Sequence, residues 1–600
     1  VPLSEHSPAC LWADRKSFPS FLQICISSPL PLDLMTLTFP PRIYTLLSIS
    51  TRPRPPPMRR AERMPAVLHP DAPLQVLLIN PEMPESFWTF RQFCRLGGTE
   101  VLQPPLALIT VAALLPQHWR FTVVDLNLTP RSAIDWDGAD LVMLTGMLVQ
   151  RPGLLSLIRE AKRRGKPVAV GGPYATSLSQ EVLDAGCDFL IRGEGENTIP
   201  LFLQALARGD TRGVFEHPDK PDLSTSPIPR FDLLKMQQYS CMSIQTSRGC
   251  PYDCDFCDVI SLFGRKVRHK SPEQVIAELE TLFRLGWNRS VFISDDNFIG
   301  HKAYAKGLLA QMIAWHKERR EPFFFWTQTS IDLGQDPELI DLMTLANFNS
   351  VFIGIETPDE QILADNRKYQ NIRNSLMDSV ANIQANGLGV VGSFILGFDG
   401  EQAGAGDRVE AFVEAADIPV VMLNLLTPLP NTRLWQRLEQ EGRLRPERQD
   451  EPQRCHDNVG QRPIFQPLRP EAELVGEYVR LWDELYEPGR FLARVYRNFL
   501  AMRPTRAAQA ANGHHSRPAK SSRRRASLRQ KAQDAISLGR LCWRLGVVAS
   551  CRWQFWRQLI GIRRRNPSRL INYLVCLGMG DDLFRLRDLI RQNLTAGSCG

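Results

Sequence analysis

From Gln75 to about residue 442 the chain alternates short apolar runs, rich in β-branched residues, with helical patterns of roughly ten to fifteen residues. A short apolar run bounded by turn residues reads as a buried strand, and a helix of that length is what returns the chain to start a parallel neighbour. The alternation confines the fold to parallel α/β architectures, either an open sheet with helices on both faces or a barrel.

The series falls into two sets. Strand candidates Val76–Ile79, Phe121–Val124, Leu141–Leu144, Val168–Val170 and Phe189–Ile191 alternate with the apolar stretch Leu106–Leu115 and helices at Leu154–Arg164, near Glu181–Leu183 and at Ile199–Ala207. This spacing fits a doubly wound, flavodoxin-like domain over 73–210, which binds ligands at the C-terminal ends of its strands. Residues 211–240, with Pro218, Pro221, Pro227 and Pro229, read as a linker. Strand candidates Met242–Thr246, Val291–Ser294, Phe323–Thr327, Val351–Ile355, Val390–Leu396 and Val420–Leu425 then alternate with six helical stretches, predicting a barrel or partial barrel over 241–442.

The flanks differ. Thirteen of the 45 prolines fall within the first seventy residues, so 1–72 reads as a disordered extension without a core; the chain opens on Val, and Met58 or Met64 is an alternative start. Glu471–Tyr486 places Leu474, Tyr478, Leu481, Trp482 and Leu485 on one helical face, predicting a packed helical region over 443–500. A basic linker containing Arg523-Arg524-Arg525 follows over 501–532, then an amphipathic tail over 533–600 with one helix expected at Leu538–Ile562.

Charge sharpens this division. Residues 501–600 carry 20 Lys/Arg against 4 Asp/Glu, whereas 73–500 carry 44 against 55. A mildly acidic body with a basic tail is not the pattern of a uniformly basic nucleic-acid binder. The thirteen cysteines form no dense disulfide framework, and no run reaches the roughly 18 apolar residues of a membrane span. A reducing cytoplasm is the expected compartment.

One cysteine cluster stands apart. Ser247-Arg-Gly-Cys250-Pro-Tyr-Asp-Cys254-Asp-Phe256-Cys257 is a C-x3-C-x2-C loop directly after the first barrel strand. Three thiolates on one loop hold three irons of a [4Fe–4S] cluster and leave the fourth free for a ligand. A structural zinc site requires a fourth ligand, and neither Cys241 nor His269 completes a paired spacing. Glycines also mark the strand ends of the first domain: Thr145-Gly146, Gly171-Gly172-Pro173 and Gly193-Glu194-Gly195-Glu196. They either admit a ligand to the backbone or merely turn the chain.

The cysteine loop resembles the signature of the radical S-adenosylmethionine (SAM) family, with Phe256 as its aromatic position. The resemblance implies that Cys250, Cys254 and Cys257 bind the cluster, and that SAM lies near Asp295 and Asp296, near Gly354 and Glu356, and along Gly392 and Gly397. Pro428-Leu-Pro430-Asn431-Thr432 and the preceding flavodoxin-like domain are similar to the cobalamin (B12)-binding branch. That similarity implies cobalamin contacts at Thr145, Gly146, Gly171, Gly172, Pro173, Gly193, Glu194, Gly195 and Glu196. Asp125-Leu-Asn127 stands where other B12 proteins carry the Asp-x-His motif, so no protein imidazole is expected beneath the cobalt. Pro229-Arg-Phe-Asp-Leu-Leu234 and Tyr486-Glu-Pro-Gly-Arg490-Phe491 resemble the subgroup that includes the hopanoid C-2 methylases.

The implied fold class is α/β: a flavodoxin-like, Rossmann-type cobalamin domain, a partial (β/α)6 radical SAM barrel and a mainly helical C-terminal region. The implied activity is methylation of an unactivated carbon, of a lipid or hopanoid-type substrate, through a 5′-deoxyadenosyl radical and methylcobalamin. A rearrangement or cyclisation on the same scaffold, or a tRNA-modifying iron–sulfur protein, are the alternatives. The implied partners are a small, lipidic substrate and an electron donor such as flavodoxin or ferredoxin. The basic tail suits either peripheral contact with the inner membrane surface or docking on the barrel, and nucleic acid is not expected.

Overall fold

The strand β1 (Gln75–Asn80) sends alternate side chains into two different cores, and this sets the first domain. Leu77 and Ile79 pack with Val142, Leu144, Leu154 and Ile158 on one face; Val76 and Leu78 pack with Leu141, Met143, Leu108 and Phe202 on the other. A strand buried on both faces reads as a continuous apolar run, which is why the sequence marked it. Beside it lie β2 (Arg120–Asp125), β3 (Leu141–Thr145), β4 (Val168–Gly171), β5 (Phe189–Ile191) and β6 (Gly213–Phe215), all parallel, in the order β2-β1-β3-β4-β5-β6. β6 corrects the linker reading of 211–240: the segment's prolines follow a real strand, held because the Phe215 ring sits 5.7 Å from Phe202 and 6.4 Å from Phe189.

This computed structural model describes residues 68–445, 462–513 and 528–595. The extension expected over 1–72 lies outside the described residues as far as residue 67, as do Cys455 and Arg523–Arg525.

The second sheet contains β7 (Cys241–Ile244), followed by a two-stranded ribbon, β8 (Ser247–Arg248) with β9 (Arg268–His269), and then β10 (Ser290–Ile293), β11 (Phe324–Thr329), β12 (Phe348–Glu356), β13 (Gly389–Leu396) and β14 (Val420–Leu425). Its order β14-β13-β12-β11-β10-β7 is parallel throughout, with β14 and β7 as edges, so six strands form an open partial barrel. Val291, Ile293, Val351, Ile353, Ile355, Val421 and Leu423 are fully buried under the outer helices. The alternate residues, among them Ser243, Phe292, Trp326 and Phe352, line the concave side.

The C-terminal helices close one edge. Tyr478 Oη donates to the Leu423 carbonyl at 3.1 Å, and Tyr486 Oη accepts from the Val421 N–H at 2.9 Å, so hydroxyls on the helix Glu471–Leu485 and just beyond it satisfy the outer backbone of β14. The single helix expected at Leu538–Ile562 is instead two, Leu528–Trp543 and Arg552–Arg565, separated by a π-type turn at Arg544–Val548. The break follows from Gly546: Trp556 Nε1 donates to its carbonyl at 2.9 Å, and a Cβ there would lie 2.9 Å from the indole. A third helix, Leu570–Thr595, reaches back to the first domain, where the Asp582 carboxylate accepts from the N–H groups of Gln92 and Phe93 at 2.8 and 2.7 Å. No helix among the described residues is long and apolar enough to cross a membrane.

Candidate functional site

The cysteine loop leaves β7 at the C-terminal rim of the barrel and is pinned at its base by Asp295. That carboxylate is fully buried and accepts from the backbone N–H of Thr246 at 2.6 Å and of Ser247 at 3.0 Å, and from both hydroxyls. With both oxygens accepting from Thr246 and Ser247, Asp295 is a strut of the loop. Asp296 is different. One oxygen accepts from the Gly249 N–H at 2.9 Å, and burial pushes its pKa up to about 7. Gly249 has φ +92°, and a Cβ would fall 2.8 Å from the Gly264 carbonyl oxygen, so the turn into Cys250 admits only glycine.

Cys250, Cys254 and Cys257 are half-buried, free thiols. Burial raises the thiol pKa of Cys250 and Cys257. Asn297 Nδ2 reaches Cys250 Sγ at 4.0 Å and Gln370 Nε2 reaches Cys254 Sγ at 3.5 Å. Among the described residues no three His, Cys, Asp or Glu side chains converge on a point that holds a single metal ion. A cubane takes each of the three thiolates on a separate iron. Amide donors beside two of the sulfurs fit such a cluster.

Behind the loop, Glu356 is held at φ +69° and pairs with the buried ammonium of Lys368. Burial works against that ammonium, but Glu356 and the nearby Cys254 and Cys257 outweigh it and raise its pKa. Lys368 Nζ also stands 5.6 Å from the ring centre of Phe256, which packs edge-on against Phe398. Gly354 makes room for this pair, since a Cβ there would lie 2.3 Å from Glu356 Oε1. At Gly392 a Cβ would meet Phe394 and Ile418, and at Gly397 it would meet Leu474, so neither position has room for a side chain. Asn371 donates to the carbonyls of Gly354 and Ile355, while its own oxygen and that of Gln370 are buried without a partner. Orphaned acceptors at a strand end fit a donor-rich ligand.

The first domain turns its strand ends to this rim. Glu194 and Glu196 were expected to meet cobalamin, but their carboxylates are buried against arginines of the second domain. Glu194 takes Arg268 at 2.8 Å and Arg248 at 2.7 Å; Glu196 takes Arg248 at 2.9 Å. Burial opposes the charge on Glu196, yet the Arg248 hydrogen bonds hold its pKa down to about 2. Gly146, Gly171 and Gly195 have side-chain or backbone neighbours within 3.1–3.2 Å of a Cβ, and Gly172 would meet Thr145 Oγ1 at 2.1 Å; these pack the strand ends. Pro173 opens the helix Pro173–Ser177. Gly172 and Gly193 both have a left-handed φ, +93° and +81°, but of the set only Gly193 has open space where a Cβ would stand. Met147, after β3, is 54% exposed nearby in sequence to Thr145 and was not anticipated. Asp125 is fully engaged, accepting from Asn80 at 3.0 Å, the Asn127 N–H at 3.0 Å and Tyr239 at 2.9 Å, and offers no lower ligand.

Three segments of the chain match family descriptions: residues 98–203 the B12 binding domain, 244–412 the radical SAM superfamily and 432–596 a domain of unknown function. The uncharacterized methyltransferase sll1242 of Synechocystis is 44% identical over 87% of this chain and 93% of its own length. The hopanoid C-2 methylase of Rhodopseudomonas palustris is 31% identical over 84% of this chain and 92% of its own. The chain belongs to the cobalamin-dependent radical SAM methylases. Its fold is similar to the cobalamin-dependent SAM radical enzyme OxsB (16% identity, 87% and 81% of the two chains, TM-score 0.54). It is similar also to the methyltransferase TsrM of Kitasatospora setae (18%, 78% and 99%, TM-score 0.52). A [4Fe–4S] cluster, SAM and cobalamin are the cofactors of this family.

In this radical SAM methylase the concave face of the barrel is aromatic. Phe292 stacks on Trp326 at 4.0 Å, and Trp88, delivered by the loop after β1, lies 5.0 Å from Phe352. Lys368, Gln370, Asn371 and Trp88 escaped sequence reasoning because each sits in a loop with no motif around it. The signal that could have found the first three is the run Lys368–Asn371 just past the short helix Glu360–Asp365 that follows the strand ending in Gly354-x-Glu356.

Proposed function

We propose that this methylase transfers a methyl group to an unactivated carbon of a small lipidic substrate of the hopanoid type. The observation that carries the reading is the Arg248 junction: the loop bearing Cys250, Cys254 and Cys257 and the strand ends bearing Gly193 are bound to one another by buried ion pairs. Two cofactor sites that share one rim are what a reaction needing both demands.

In this reading Cys250, Cys254 and Cys257 each hold an iron, Asp296 receives the SAM amino group, and Glu356, paired with Lys368, accepts from the ribose hydroxyls. Gly193 admits the corrin to the backbone. Bound there, the cluster and SAM supply a radical at carbon and cobalamin supplies the methyl group. Phe292, Trp326, Phe352 and Trp88 give an apolar substrate a wall to lie on and keep water from the reacting carbon. A one-electron donor of the flavodoxin or ferredoxin kind supplies the electron, and the basic tail contacts a membrane surface where such a substrate resides.

Anaerobic reconstitution with iron, sulfide and cobalamin, followed by SAM, reductant and a hopanoid, tests this. We expect 5′-deoxyadenosine, S-adenosylhomocysteine and a product heavier by one methyl group. Formation of 5′-deoxyadenosine without S-adenosylhomocysteine would indicate rearrangement or cyclisation instead, and its absence would overturn the reading altogether.

A further inference from the structure

Sixteen large apolar side chains are exposed among the described residues, and nine of them fall between Ile536 and Val575. Four of them stand at a single turn. The helix Leu528–Trp543 ends in the π-type turn Arg544–Val548, and the chain then enters Arg552–Arg565. Trp543, Val547, Val548 and Trp553 occupy this apex with exposures of 62, 48, 65 and 77%. The second helix has two faces. Phe555, Gln558 and Ile562 are buried against the body, while Trp553, Arg557, Ile560 and Arg564, at spacings of four, three and four, face outward. Ile571 and Val575, one turn apart on the next helix, are exposed as well.

Cations frame this apolar surface. Arg540, Arg552, Arg557, Arg563, Arg564 and Arg565 are exposed, and none makes an ion pair among the described residues; Arg544 alone is neutralised, by Asp581 at 2.7 Å. Indoles and aliphatic side chains held out in water, ringed by unpaired guanidinium groups, match the two layers of a lipid interface: acyl chains below and anionic headgroups above. We propose that the Trp543–Trp553 apex and the outward stripe of Arg552–Arg565 form a docking surface for an anionic lipid bilayer. Nucleic acid would use the arginines but leave Val547, Val548, Ile560, Ile571 and Val575 in water. A second copy of the chain would have to bring like charges together. The proposal rests on the membrane contact of the proposed function and gives it residues and a lipid class; the surface lies outside the residues assigned to the cofactors, and its test requires no turnover, so it can fail while the methylation reading stands.

The test is co-sedimentation of the full chain with phosphatidylcholine vesicles, with and without phosphatidylglycerol. Binding should need the anionic lipid and weaken as salt rises. Trp543→Ser/Val548→Ser/Trp553→Ser should lower binding by at least about tenfold, and Arg557→Ser/Arg564→Ser should lower the preference for anionic vesicles. All five side chains are exposed, so unchanged circular dichroism and melting temperature should accompany both variants. Failure of the wild type to sediment with anionic vesicles, or a triple variant that binds as well as wild type, would overturn the proposal. So would binding to duplex DNA or self-association that the triple variant abolishes while vesicles are ignored.

Discussion

Arg248, two residues before the first cluster cysteine, is clamped by two carboxylates of the other domain, Glu194 at 2.7 Å and Glu196 at 2.9 Å. Its Nε donates to Gln245 at 2.7 Å, so the guanidinium is satisfied on every side while almost wholly buried. Burial opposes its charge, but the two glutamates outweigh that and raise its pKa. The domain interface and the cysteine loop therefore share one charged group.

Breaking this group from one side leaves an unpaired buried charge. Arg248→Met should cost about 3–5 kcal/mol, read as a shift of the urea unfolding midpoint. Because the same side chain aligns the two domains, the surviving enzyme should form more 5′-deoxyadenosine per methylated product than wild type. A variant with full stability and an unchanged product ratio would contradict the role given to the junction.

Lys368 sets a second expectation, at the cluster itself. Its ammonium is buried near Cys254 and Cys257 and paired with Glu356. A positive charge close to a cluster favours the reduced, more negative state. Lys368→Met should therefore move the cluster potential to more negative values in an EPR-monitored titration, and Lys368→Arg should restore most of the shift. Lys368→Met/Glu356→Met, which removes both charges, should be more stable than Lys368→Met alone.

The elements that the sequence made legible are those whose signal is local. The continuous apolar run of β1 and the C-x3-C-x2-C spacing need no distant partner, and both stand where the pattern put them. The ion pairs of the glutamates were not legible for the opposite reason. Glu194 and Glu196 are near glycines in sequence, but their arginines lie 52 to 74 residues away, and only the tertiary fold brings them together. Within the helical tail expected over 533–600, Leu570–Thr595 was not marked as a separate helix because its buried face is interrupted by Gly578 and Asp582, which serve the segment around Phe93, and by Gly580, which lies against Phe491. Leu538–Ile562 kept a helical period across Gly546, and nothing in that period announces that Trp556 folds back onto it.

Glu401 gives a pH dependence with a definite sign. Its carboxyl is buried, accepts from the Gly397 N–H at 2.8 Å and leaves Oε1 without a partner. Burial raises its pKa from 4.5 to about 7, against the opposing pull of that N–H and of Arg469. A group whose folded pKa lies above its unfolded one binds more protons when folded, so its contribution to stability is complete below pH 4.5 and is lost as pH rises through about 7. The full loss is about 3 kcal/mol. Glu401→Gln should flatten the stability profile across that window, so that the variant gains on wild type as pH increases; parallel profiles would contradict the assignment.

Two glycines with left-handed backbones should fail in different ways when replaced by alanine. At Gly249, φ is +92° and the added methyl would lie 2.8 Å from the Gly264 oxygen and 2.9 Å from that of Lys266, both backbone atoms that cannot swing aside. Gly249→Ala should distort the entry to Cys250 and lower iron bound per chain after reconstitution, with cobalamin retention unchanged. At Gly193, φ is +81° but the space is open, so Gly193→Ala should cost only about 1–2 kcal/mol of backbone strain. If the corrin approaches the backbone there, the methyl intrudes on the ligand instead of the protein: cobalamin retained after gel filtration should fall while the iron content holds. A Gly193→Ala chain that keeps its corrin would place the cobalamin contact elsewhere along the rim.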